Sequence, residues 1–459
     1  MKIAKIELPH DALALLNLKG VKRLVLAGVH KLADVFGFFD YPREIGINHP
    51  DPKSLPSDLR FIAYWMYKTG HPIARAKKGS SLETYFERRR EPPVDMLPDG
   101  FDAETEISMS LVGDLMRTGG AENSKNLIYE GVADRIFDVD IAYANLESTL
   151  TKGEVQEIEF EPGETPEINL TPEQYAALIQ HKGRYFDIVQ ISNNHILDCG
   201  EEGLATTLEC LERDNVLSVG TNDSAEAAGK GVIIESKGLK IGWVAFTYSV
   251  NWRPIPEDNP ELVNIVPFHM QAEPDLSPIE NQLRWCRENA CDLVVLGLHW
   301  GLEFELFPHP DQLEWAHRLA EAGADVIVGH HPHVPQPIEF YRTQRDPNRV
   351  VPIFYSLGNL TPVLSHPATV LSFIANLKVV RGRNNDAKCT YVADVGITPA
   401  AIVASSEIDR YGLRLYKVSD LCGMELDGEM NRYVFEIASY ADILLGKTWR
   451  SEEGLTVNV

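Results

Sequence analysis

Six side chains with oxygen or nitrogen donors stand directly after short apolar runs: Asp114, Glu147, Asn194, His299, His331 and His333. Carboxylates, amide oxygens and imidazoles are the donors that hold hard and borderline divalent cations. Taken singly, each has an ordinary reading. Asp114 can be a turn residue, and His195, beside Asn194, a helix-capping or core histidine. The segment His331-Pro-His333 carries more weight, because two imidazoles flanking one residue can share a metal ion or serve two adjacent ones. Gathering unpaired carboxylates in an interior costs on the order of several kcal/mol. A bound cation removes that cost. The set predicts a divalent metal site, and N/O ligands without thiolate allow manganese, iron, zinc or calcium.

These positions make sense if the apolar runs are strands of an α/β fold. Ile107–Gly113 leads into Asp114, Asp140–Ala144 into Asn145-Leu-Glu147, and Asp187–Ser192 into Asn193-Asn-His195. Asp292–Leu298 leads into His299, Asp325–Gly329 into His330-His-Pro-His333, and Pro352–Tyr355 into Ser356-Leu-Gly-Asn359. Helical periodicity fills Leu204–Arg213, Pro278–Asn289 and Pro310–Ala322. In open α/β sheets, ligands bind outside the carboxyl ends of the strands. Beyond Ala368 the pattern is mainly strand (Thr369–Val380, Thr390–Thr398, Arg414–Val418), closed by a helix near Asn431–Leu445.

Residues 1–105 read as a separate, mostly helical extension or cap. It holds an amphipathic stretch at Val21–Phe39, a loop at Pro50–Pro56, a short aromatic-rich helix at Leu59–Thr69, and a charged, proline-stopped linker at Glu87–Pro93. The Arg88–Arg90 run reads as a solvated face. Residues 106–385 form the main domain, and 386–459 supply strands and a helix that complete or cap it.

The net charge of −24 argues against nucleic acid and against an anionic membrane surface as partners. A small-molecule or peptide substrate is compatible with it. Six cysteines without a CxxC pair suggest free thiols in a reducing compartment. Glu7, His10 and Asp11 break the first apolar stretch, so it does not read as a secretory signal. Charges likewise interrupt Val21–Phe39. A cytoplasmic protein is expected.

Six motifs occur in order: Gly113-Asp-Leu-Met116, Asn145-Leu-Glu147, Asn193-Asn-His-Ile-Leu-Asp198-Cys-Gly200, His299-Trp-Gly-Leu-Glu303, Gly329-His-His-Pro-His333-Val-Pro-Gln336 and Tyr355-Ser-Leu-Gly-Asn359. Over about residues 107 to 380 the chain resembles the CapA-type family of bacterial poly-γ-glutamate capsule synthesis proteins. That family is a branch of the calcineurin-like metallophosphoesterase superfamily. The resemblance implies a four-layer α/β/β/α sandwich with the metal site at one edge. It maps Glu147, Asn194, His299 and His331 onto one metal site, and Asp114 and His333 onto a second. The superfamily's first motif is Asp-x-His, and here Met116 occupies the His position. A thioether is a poor ligand for such cations, so one tightly held metal with a weaker or absent second is expected. The resemblance also implies that His195 is the catalytic histidine, with Asp198 three residues on to orient it.

Around these, Arg117 could clamp an anionic group of the substrate, and Glu303 could face it. His330 reads as a supporting histidine, Trp300 and Tyr355 as core aromatics, and Asn359 as a turn residue serving the backbone. Three chemistries fit. The first is a metal-dependent hydrolase acting on a phosphoester, or on an amide of a peptide or γ-glutamyl compound. A metal lowers the pKa of bound water from 15.7 to about 7, and His195 protonates the leaving group. The second is metal-assisted proton transfer at a carbon beside a carbonyl, as in a peptide epimerase. The third is non-catalytic binding or assembly of an acidic polymer such as poly-γ-glutamate.

Overall fold

Runs of Val, Ile and Leu covered on both faces form parallel strands, because the branched side chains fill two interfaces at once. The computed structural model describes residues 2–12, 28, 37, 39–42, 59–91, 93, 96–152, 166–271, 273–385, 387–407 and 410–450. The expected amphipathic stretch Val21–Phe39 lies almost wholly outside these residues, and the loop Pro50–Pro56 entirely outside.

The strands that carry the argument are β1 (Lys2–Ala4), β2 (Asp102–Leu115), β3 (Ile141–Leu146), β4 (Ile188–Gln190), β5 (Leu217–Val219), β6 (Val232–Ser236), β7 (Leu239–Thr247), β8 (Leu293–His299), β9 (Val326–His330), β10 (Ile338–Arg342), β11 (Val350–Phe354), β12 (Asn359–Thr361), β13 (Leu371–Asn384), β14 (Ala387–Glu407) and β15 (Arg410–Lys417). The helices are α1 (Leu59–Gly70), α2 (Leu82–Glu87), α3 (Gly200–Arg213), α4 (Ser277–Glu288), α5 (Pro310–Ala322) and α6 (Gly428–Leu445). The fold is mixed α/β.

Among the described residues, one sheet runs β1-β14-β13-β2-β3-β4-β5, with β12 paired to β2 and β15 to β14. A second runs β6-β7-β8-β9-β11-β10. The central strands of both are parallel, so their carboxyl ends finish level. In the first sheet Asp114 registers with Asn145, and Asn145 with Gln190. In the second, Thr247 registers with His299, and His299 with His330. The sheets meet through buried side chains. Tyr143 of β3 stacks on Trp243 of β7, with ring centroids 5.1 Å apart. Helix α4 packs on β7, α5 on β9, and α6 on β13.

Several elements depart from the sequence-based expectation. β6, β7 and β10 were not expected as strands. Leu371, rather than Thr369, opens β13, because Pro367–Val370 forms a helical turn whose Ala368 N–H donates to His366 Nδ1. β2 starts at Asp102, where exposed polar residues continue the antiparallel pairing with Arg381–Arg383. The N-terminal region contributes a strand as well as helices, since β1 pairs with Ala404–Ser406 of β14. No helix among the described residues is long and apolar enough to cross a membrane.

Candidate metal centre

The level strand ends bring the expected donors together. One carboxylate or imidazole atom each from Glu147, His299 and His331 lie within 4.8 Å of one another. The same holds for Asp114, Glu147 and His333. All five residues are buried. Glu147 belongs to both groups, and its Oε1 accepts no hydrogen bond. That oxygen stands 3.5 Å from His299 Nε2 and 3.7 Å from His333 Nε2. Such a buried, unsatisfied oxygen ringed by imidazoles suits a cation, and nitrogen and carboxylate donors suit a divalent one. Asn194 adds its Oδ1 at 2.8 Å from His299 Nε2. These residues could hold a metal ion.

Neighbouring side chains fix the donors. His330 Nδ1 donates to Asp114 Oδ1 at 2.7 Å, while its Nε2 lies 3.0 Å from the Tyr143 hydroxyl. Asn145 Nδ2 donates to the same Asp114 oxygen at 2.8 Å. Asn193 donates to the Leu146 carbonyl at 2.8 Å and accepts the His195 N–H at 3.1 Å, tying the end of β3 to the histidine loop. His333 Nδ1 sits 3.1 Å from Asn359 Oδ1, and Asn359 Nδ2 donates to the His333 carbonyl. His331 and His333 adopt φ of 96° and 58°, in the left-handed region. Holding two non-glycine residues there costs on the order of 1–3 kcal/mol each, which persists only where the surroundings over-determine it.

Burial and the mutual charges of the donors set the electrostatics of the cluster. Burial alone would raise the Asp114 carboxyl, but the His330 hydrogen bond and the nearby imidazoles outweigh it and hold the pKa at about 2. Burial, then the charge of Asp114, pushes Glu147 well above the usual carboxylate range. Burial holds His299 well below, and His333 below, the ordinary imidazole value. Neutral imidazoles are the form that ligates metals.

His195 stands beside this cluster, near enough to interact electrostatically with His299 and His333. Its Nδ1 is 2.7 Å from Asp198 Oδ2, which also accepts the Ile168 N–H. The other Asp198 oxygen faces Arg253 at 3.5 Å. Glu303 Oε1 comes to 3.8 Å from His333 Nε2. Arg117 is part-buried at the end of β2, and its N–H donates to Ser148, the residue after Glu147. Met116 is buried, its N–H spent on Thr361.

The sequence description of bacterial capsule synthesis protein PGA_cap matches residues 108–362. The chain belongs to this family. All the donors, His195, Asp198, Arg117 and Glu303 fall inside the matched segment, while α1, α2 and α6 lie outside it. Among relatives of the family, the PGA biosynthesis protein CapA of Bacillus subtilis is 33% identical over 39% of this chain and 43% of its own length. The capsule biosynthesis protein CapA of Bacillus anthracis is 31% identical over 38% of this chain and 39% of its own. The matches therefore span about two fifths of these relatives. A sulfate thiohydrolase, SoxB of Thermus thermophilus, aligns at 14% identity over 56% of this chain and 37% of that chain, with a TM-score of 0.27. That score is too low to inform the fold, which rests on the strand order above.

Some neighbours of the site were not named as site residues from sequence: Asn145, Asn193, Tyr143, Tyr248, Arg253, Asn251, which accepts from Asn194 Nδ2 at 3.3 Å, and Trp65, whose indole donates to Glu303. Asn145 and Asn193 sit inside the quoted motifs and were within reach. Tyr248, whose ring lies 4.6 Å from that of His331, follows β7, a strand the periodicity did not reveal. Asn359 does more than the expected backbone service, since it also holds the His333 ring. Trp300 and Tyr355 are buried and stacked on each other, as core aromatics are.

Proposed function

We propose that the chain is a metal-dependent hydrolase acting on a phosphoester, or on an amide of a peptide or γ-glutamyl compound. The observation that carries this reading is the His195–Asp198 pair, 2.7 Å apart, set against a buried cluster of metal-binding donors. Glu147, Asn194, His299 and His331 would hold one divalent cation, manganese, iron, zinc or calcium. Asp114, His333 and the shared Glu147 would hold a weaker second, with Met116 where a further imidazole would stand. A bound cation supplies Lewis acidity and makes water acidic enough to be a nucleophile near neutral pH.

The rest falls to the chain. With Nδ1 engaged by Asp198, His195 keeps Nε2 to release a proton to the departing oxygen or nitrogen. Asp198 fixes the tautomer and ring orientation, and the Arg253 guanidinium faces the far oxygen of Asp198 at 3.5 Å. Asn145 and His330 keep Asp114 ionised and aimed at the cluster. Arg117 is proposed to meet an anionic substrate group. The two sheets with helices against them support the four-layer α/β/β/α arrangement for residues 106–385. Residues 386–459 then complete it, and α1 with the chain that follows it caps it, while β1 joins the first sheet. Cysteine usage favours a reducing compartment, such as the cytoplasm.

The test is turnover of phosphoester and γ-glutamyl anilide panels by the metal-loaded protein. Hydrolysis of one class, lost on chelation and restored by metal, supports the reading. Absence of turnover across both panels, with metal bound, sinks it. The two relatives, both biosynthesis proteins, favour a second reading: binding or assembly of an acidic polymer such as poly-γ-glutamate. Polymer binding that survives His195→Ala unchanged, without turnover in the parent protein, would select that reading.

A further inference from the structure

Helix α1 lies outside the segment matched by the family, yet it grips the loop that follows β8 at the edge of the site. Trp65 Nε1 donates to Glu303 Oε2 at 2.5 Å. Lys68 Nζ pairs with Glu305 Oε1 at 2.8 Å, and both side chains are almost wholly buried. The Tyr64 hydroxyl donates to the same Glu305 oxygen at 3.2 Å. The chain just past the helix adds backbone bonds, from Ile73 N to the Phe304 carbonyl and from Leu306 N to the Ile73 carbonyl, each 2.9 Å. Phe304 itself takes a left-handed φ of 58°, so this loop is held in a conformation it would not choose alone.

The consequence falls on Glu303. One carboxylate oxygen is held by the indole, and the other, Oε1, is set 3.8 Å from His333 Nε2. The side chain is 11% exposed, so the carboxylate is largely desolvated. A carboxylate fixed in this way is an acceptor whose ordering cost is already met. From this we infer that α1 is a positioning element of the site. Trp65 orients Glu303, and Glu303 recognises a protonated amine on the substrate.

The inference rests on the proposed hydrolase site and names a feature of its substrate. Trp65 and α1 act through Glu303 and are positioning residues. A charge-assisted hydrogen bond at a partly desolvated site discriminates by about tenfold or more against a ligand that lacks the charge.

The probes are γ-glutamylglycine, which carries a free ammonium, and its N-acetyl derivative, which does not. Binding of each to the metal-loaded full chain is measured by calorimetry, so that the readout does not depend on turnover. The parent protein is expected to bind the free amine at least about tenfold more tightly. Glu303→Gln should erase that preference while leaving metal content unchanged. Trp65→Phe keeps the aromatic packing and removes only the N–H donor. It should reduce the preference part-way, again with unchanged metal content and an unchanged melting transition. Equal binding of the two probes by the parent, binding of neither, or a preference that survives Glu303→Gln would overturn the inference. A preference without turnover would leave it standing and sink the hydrolase reading. Turnover without a preference would do the reverse.

Discussion

Two histidines of the site have different duties. His331 belongs to the donor cluster, so His331→Ala is expected to lose bound metal and activity together, read by elemental analysis and turnover on the same sample. His195 lies beside the cluster, paired with Asp198. His195→Ala is expected to keep its metal and its fold, and to lose turnover by about 10²–10⁴-fold. A parental rate in that variant removes His195 from the mechanism. The donors were legible in the sequence because each ends an apolar run, and strand ends converge in an α/β sheet. Their supports were legible only in part. Asn145 looks like a spacer until the register sets it opposite Asp114, and His330 becomes the partner of Asp114 only when two sheets meet.

Among the elements, parallel strands bring the donors level, and small residues let them approach. A Cβ added at Gly329 would lie 1.9 Å from the Tyr355 carbonyl oxygen, and one at Gly113 would lie 1.9 Å from the Gly358 carbonyl oxygen. Gly329→Ala must therefore push β9 away from its neighbour, at a cost on the order of 1–3 kcal/mol. Denaturant unfolding should report that loss together with weaker metal retention. At the other end of β9, buried Asp325 anchors the second sheet. It accepts the Val294 N–H and meets Arg287, Arg345 and Arg349. Burial would raise its pKa, but the three guanidiniums hold it at about 2. Because the folded pKa lies below the unfolded value of about 3.9, the carboxylate stabilises the fold above roughly pH 4. That contribution, on the order of 2–3 kcal/mol, is lost as the pH falls towards 2. Asp325→Asn should destabilise by about 3–5 kcal/mol at neutral pH and flatten the acid limb of the stability profile. A variant with the parental acid limb would contradict the ion-pair account.

How well an element could be read depended on where its signal lies. Helix α5 matched its expected bounds, with Pro310 in its first turn and Gly323 just past its end. β7 escaped because Lys240 and Gly242 break a continuous apolar run, and what secures it as a strand is the parallel pairing with β8.

Over the whole molecule, the two sheets and helix α1 converge on one edge. The contact between Trp65 and Glu303 joins residues 238 positions apart, a pairing that no local pattern in a single sequence announces. A cation bound only by the folded chain stabilises it by mass action, about 2.7 kcal/mol at a hundredfold excess over Kd. Chelation is therefore expected to lower Tm by at least about 3 °C, and readdition of metal to restore it. The central claim is the buried metal site itself, and metal content per chain tests it most directly. Protein purified without chelator should carry between one and two equivalents of a divalent metal by elemental analysis, and His331→Ala should carry less. No metal in the parent protein, before or after reconstitution with manganese, iron, zinc or calcium, would contradict the account.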